Sequence, residues 1–165
     1  MADVHFHPLY HISLTWVDPL LFFSAFVSIL IDPGIWLDYY VPASISQVDP
    51  IQNIAYQNVA VMYGFLIIMT AGLQRISTDV RVWKTIQAGV LFADVGHVIT
   101  VYASLVQQDR LQPDRMRVVD WANFIVTAVG AFIRICFLAG VGIRTVGDGR
   151  KQAPSKRNGP NVKQL

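Results

Sequence analysis

Four side chains sit where a lipid-facing sequence has no use for them: Asp18, Asp94, His97 and Arg134. Each interrupts a run of Val, Leu, Ile, Phe and Ala. An ionisable group facing hydrocarbon is costly, so such residues turn toward a bundle interior or a wet cavity. Asp94 and His97, in "VLFADVGHVITVY", are three apart and share one helical face. Two carboxyls of different proton affinity can divide the work of acid and base, and an arginine can position both. If the helices that carry them converge, Arg134 can sit between Asp18 and Asp94, a set suited to proton transfer, with His97 beside the same cavity as Asp94. A plainer reading uses the same residues: Asp94 and Arg134 neutralise each other and fix the packing.

Further polar residues accompany the four. Asn123, Thr127, Gly130 and Arg134 recur at helical spacing as one stripe. Tyr56 and Tyr63 are seven apart, with Gln57 beside the first, and Asp38 with Tyr39 and Tyr40 belongs to the opposite mouth. Tyr63, Tyr56, Gln57, Asn123 and Asp38 are therefore the expected substrate contacts. His5, His7 and His11 fit no standard zinc spacing, and the single Cys136 makes neither an intrachain disulfide nor a Cys-rich centre, so no metal or cofactor is expected.

These residues need helices to hold them. The chain has 165 residues, 53% hydrophobic and only 15% charged, which points to a membrane protein. A crossing helix takes about 20 apolar residues, and four stretches qualify, near 14–36, 53–73, 84–106 and 119–143. The expected fold is all-α, an integral membrane four-helix bundle over 1–145. Asp18-Pro19 places a proline in the first turn of span one, where a missing amide is tolerated, and Asp32-Pro33-Gly34 ends that span. Of thirteen Lys and Arg, nine lie before span one, around the second connection (with Lys84) or after span four; three lie on the other side. The positive-inside rule then puts both termini in the cytoplasm. The N-terminus has no basic residue before its apolar run, so no removable signal is expected. The basic end of the chain, 146–165, reads as a disordered tail near a membrane surface. The expected partners are the lipid bilayer and a lipophilic small molecule, and no nucleic acid; the sequence leaves the oligomeric state open.

The chain resembles a family of small fungal four-span membrane proteins classed as a domain of unknown function. The resemblance is carried by Asp18-Pro19, by Leu73-Gln74-Arg75 closing span two, by Asp94 with His97, and by Arg134 followed by Gly140-Val141-Gly142. It covers roughly residues 8–144. That family usually has Glu before the proline, so Asp18 is one methylene shorter. Its layout is similar to the EXPERA sterol isomerase and sigma-2 group. Some members look like membrane enzymes encoded beside polyketide synthases, of the aurovertin and citreoviridin type. What the resemblance implies is an endoplasmic reticulum epoxide hydrolase and cyclase that opens polyene-derived epoxides to oxygen heterocycles. It implies Asp18 and Asp94 as acid and base in either order, one protonating the ring oxygen and the other deprotonating the attacking hydroxyl, with Arg134 positioning both and His97 assisting. Two alternatives remain open: a sterol or terpenoid double-bond isomerase, and a non-catalytic lipid-binding membrane protein.

Overall fold

The computed structural model describes residues 3–46 and 48–146. Four helices are long and apolar enough to cross a bilayer: α1 (Pro8–Ile31), then, after the short α2 (Pro33–Leu37), α3 (Pro50–Ile76), α4 (Val80–Gln107) and α5 (Val118–Leu138). Even α5, at 21 residues, is about 31 Å long, enough for a hydrocarbon core of about 30 Å. A two-stranded antiparallel ribbon joins the ends of this bundle, β1 (Asp3–Phe6) pairing with β2 (Ile143–Val146) in the register Asp3 to Val146. Both ends of the described chain therefore lie on one side. The tail expected to be disordered lies, beyond Val146, outside the described residues.

Three span boundaries differ from the sequence reading by five or six residues. Helix α1 begins at Pro8 rather than near residue 14, because His7 Nδ1 accepts from the Leu9 amide at 3.2 Å and Pro8 supplies the first turn. It stops at Ile31, and 14–36 is split by Asp32, whose extended backbone and Oδ1 cap α2 through the Gly34 amide at 2.8 Å. Helix α5 ends at Leu138 rather than near 143: Gly140 (φ 84°) and Gly142 (φ 71°) take left-handed conformations that turn the chain into β2. Lys84 Nζ donates to the last carbonyl of α5, Leu138 O, at 2.8 Å.

Three Asp-Pro pairs divide by position. Asp32-Pro33 and Asp49-Pro50 do ordinary capping, each aspartate accepting the amide two residues on at 2.8 Å. Asp18-Pro19 instead lies in the interior of α1, which corrects the first-turn assignment. Pro19 has no N–H, so the Thr15 carbonyl four residues back lacks its α-helical donor. Arg75 Nη2, from the end of α3, donates to that carbonyl at 2.6 Å while its guanidinium lies 4.0 Å from the Trp16 ring centroid. A π-helical turn over Ser13–Val17 precedes Asp18, and a second, Ile68–Leu73, packs against it from α3.

The bundle is two helix pairs, α1 on α3 and α4 on α5. Buried polar contacts join the pairs, as where Gln87 Nε2 donates to Gln74 Oε1 at 3.0 Å. Apolar clusters close the two ends. Near the ribbon, Tyr10, Leu14, Trp83 and Phe137 are buried, with Phe6 stacked on Trp83 at 4.7 Å. At the far end Tyr40, Val101 and Leu105 pack with Trp36 and Phe124. Large apolar side chains face outward, among them Phe92 (81% exposed) and Ile54 (72%), as a lipid-facing surface requires.

Candidate functional site

Between the two apolar ends lies a cavity of about 520 Å³, large enough for a drug-sized ligand. It sits where α1 and α5 fail to pack closely on one another among the described residues, and exposed apolar side chains rim it: Val17 and Leu21 from α1, Ile125, Val126 and Val129 from α5. The slot is thus lateral, facing the surroundings of the bundle.

Its polar wall is built on Arg134. The residue is only four positions from the end of α5, yet helical side chains lean toward the N-terminus, and this one folds back across Gly130 toward the middle of the bundle. Glycine leaves room for this pose of the arginine: a Cβ on residue 130 would lie 2.6 Å from Arg134 Nη1. Nη1 donates to Asp94 Oδ2 at 2.7 Å. Nη2 lies 2.7 Å from Asp18 Oδ2. The two contacts are unequal, because the Asp18 contact is close but not directed as a hydrogen bond, and Asp18 Oδ2 has no hydrogen-bond donor among the described residues. Asp18 and Arg134 are 4% and 3% exposed. Three helices thus converge on one guanidinium, with one cation facing two carboxyls.

His97, one turn beyond Asp94 on α4, lines the same cavity. Its Nδ1 is 3.0 Å from the Tyr40 hydroxyl, the rings meeting edge to face at 5.5 Å. Burial holds the Tyr40 phenol above its ordinary value, so it remains a protonated donor. When the phenol donates to Nδ1, the imidazole carries its proton on Nε2. The sequence reading places Tyr40 at the opposite mouth beside Asp38. Trp36 and Tyr40, four residues apart at the end of α2, meet with ring centroids 4.9 Å apart, but that spacing does not tell that the Tyr40 hydroxyl reaches His97.

Of the expected substrate contacts, Tyr63 and Asn123 line the cavity, and Asn123 also donates to the Tyr39 carbonyl at 2.7 Å. The other three lie outside its lining, a correction to the sequence reading. Asp38 Oδ1 pairs with Arg117 Nη1 at 2.9 Å and accepts from the Ala43 amide, tying the α2 turn to the start of α5. Tyr56 bonds Gln52 Oε1 and edges against Trp36, and Gln57 is exposed near the start of α3. Arg117 also meets Asp120, which Arg110 contacts as well; this second charged set caps α5 and stays away from the cavity.

No curated protein and no solved structure matches the chain. Residues 4–144 match the family described as Domain of unknown function (DUF7704), and with nearly all of the described fold inside that match, the chain belongs to this family.

Proposed function

We propose that this protein is a membrane enzyme that opens epoxides on a lipophilic substrate by acid and base catalysis. The single observation that carries the reading is the placement of Asp18 and Asp94 on one guanidinium, at the wall of a cavity open to the side. Two carboxyls against one cation leave the set one proton short of neutrality, and with that proton bound one group is an acid and the other a base. The acid protonates the epoxide oxygen as a ring C–O bond breaks. Water, or a hydroxyl of the substrate, attacks the carbon and gives its proton to the other carboxylate. Water yields a diol; an internal hydroxyl yields an oxygen heterocycle. Movement of one proton between two groups on the same arginine then restores the starting state. His97, held by Tyr40, presents Nε2–H to a substrate oxygen.

The wider setting follows from the sequence resemblance: polyene epoxides of fungal polyketide biosynthesis, in the endoplasmic reticulum membrane with both termini cytoplasmic, supported by the distribution of basic residues. A double-bond isomerase would need the same proton donor, but its cationic intermediate would form beside Arg134, which opposes it.

The test is product formation from a polyene epoxide by membranes with matched protein levels. Asp94→Asn and Asp18→Asn should each lose about 100- to 10,000-fold in rate, and the double variant little more, since the pair acts as a unit. Near-normal turnover by Asp94→Asn would return that carboxylate to a packing role. Absence of turnover by the unmodified protein would favour a non-catalytic lipid-binding bundle.

A further inference from the structure

The cavity beside Arg134 has a neighbour. A second cavity of about 450 Å³ lies on the other side of the Tyr40–His97 pair, between α3 and α4, reached by Val59, Thr100 and Ser104, none of which lines the first. Trp36, Tyr40, Tyr63, Ala93 and His97 line both. The two spaces therefore share one wall within the bundle, a collar of four aromatic or imidazole rings and one alanine.

We infer that the two spaces open to one another at this wall as one passage, which seats a single elongated, unbranched lipophilic ligand, its oxygen function at Arg134 and its hydrocarbon end beyond the collar in the second cavity. The inference rests on the epoxide reading for the identity of the oxygen function, and on three features of the passage for the rest. First, the charged set lies only in the first cavity, so the ligand's polar group has one place to go. Second, the hydroxyls at the far end are already engaged: Ser104 Oγ donates to Tyr40 O at 3.1 Å and Thr100 Oγ1 to Gly96 O at 2.9 Å. With those donors occupied, the second cavity offers a ligand apolar surface. Third, His97 and Tyr40, in contact at 3.0 Å, tie the collar together, and a flat or flexible chain needs a smaller opening through it than fused rings do. From Asp94 to Ser104 the passage follows α4 for about 15 Å, which calls for a chain of many carbons.

Photolabelling tests this without depending on turnover. The probes are terminal epoxides on a decyl and on an octadecyl chain, each with a diazirine at the end far from the ring, added to the full-length protein in nanodiscs. The octadecyl probe should label around Val59 and Thr100, and the decyl probe should label only the first cavity. Thr100→Trp, which fills the second cavity, should abolish the distal label and lower the octadecyl-to-decyl turnover ratio about ten-fold or more, the equivalent of about two unburied methylenes. Octadecyl labelling confined to Val17, Leu21, Val126 or Val129, with turnover intact, overturns the passage and leaves the enzyme reading standing. Distal labelling with no turnover supports the passage and overturns the enzyme reading.

Discussion

Replacing Gly130 by alanine separates the needs of the fold from those of the site. The new Cβ would stand 2.6 Å from Arg134 Nη1, whereas ordinary contact begins at 3.4 Å, so the guanidinium must retreat by about 0.8 Å. Nothing else crowds the position: the close atoms all belong to the end of that one flexible side chain. Folding should therefore be unharmed, and removal of a helical glycine favours the helix by about 0.5–1 kcal/mol. The site has no such tolerance. A shift approaching 1 Å takes the 2.7 Å Asp94 hydrogen bond out of good geometry and changes the spacing to Asp18. Misplacement on that scale costs about 100-fold in rate. The paired measurements are thermal unfolding of purified protein in nanodiscs and initial rates on a polyene epoxide. The expected result is an unchanged or raised Tm with turnover near one hundredth of normal. A Gly130→Ala protein that folds and turns over normally would refute the claim that guanidinium position governs the chemistry.

Arg75→Ala should destabilise the bundle by about 1–3 kcal/mol, because the buried Thr15 carbonyl loses its 2.6 Å donor. Pro19→Ala restores an amide four residues on, so in a double-mutant cycle the combined loss should be smaller than that of Arg75→Ala alone; strict additivity would show that the arginine acts elsewhere. Tyr40→Phe should leave unfolding within about 1 kcal/mol of normal, the net worth of one hydrogen bond, while lowering turnover by freeing the His97 tautomer. Because burial raises the phenol's proton affinity, Tyr40 stays protonated through the neutral and mildly alkaline range, and the Tyr40→Phe defect should be constant from about pH 6 to 9. A defect that vanishes within that range would count against the phenol as the donor.

The spans were legible because a membrane imposes length and apolarity, and those are properties of one stretch at a time. Their ends were less so. His11, Ser13 and Thr15 interrupt the apolar run at the start of α1, although Thr15 is buried and its hydroxyl bonds back to the His11 carbonyl. Of the site, the charged residues announced themselves by being out of place, and Gly130 to Arg134 is an i to i+4 spacing readable on one helix. Tyr40 was not readable, since its position depends on how the turn after α2 folds beneath α4, a long-range contact carried by Ser104 and Gln108 holding the Tyr40 carbonyl. Asp38 misled for a related reason: an acidic residue at a mouth looks available until its partner Arg117, far along the chain, is brought beside it.

The lateral slot is fastened above and below. The β1–β2 ribbon binds the chain before α1 to the chain after α5, and at the far end the contacts of Asp38 with Arg117 and of Tyr39 with Asn123 bind the exit of α1 to the start of α5. The opening behaves as a buttonhole stitched at both ends. Fastened so, the two helices are held against swinging apart, and the width of the opening is set by the fold. For a ligand entering there, as the proposed function requires, thin and flexible molecules would pass more readily than thick ones. Selection would then begin during arrival, as a difference in the speed of passage, and cutting either stitch should broaden what is admitted before it alters what is held.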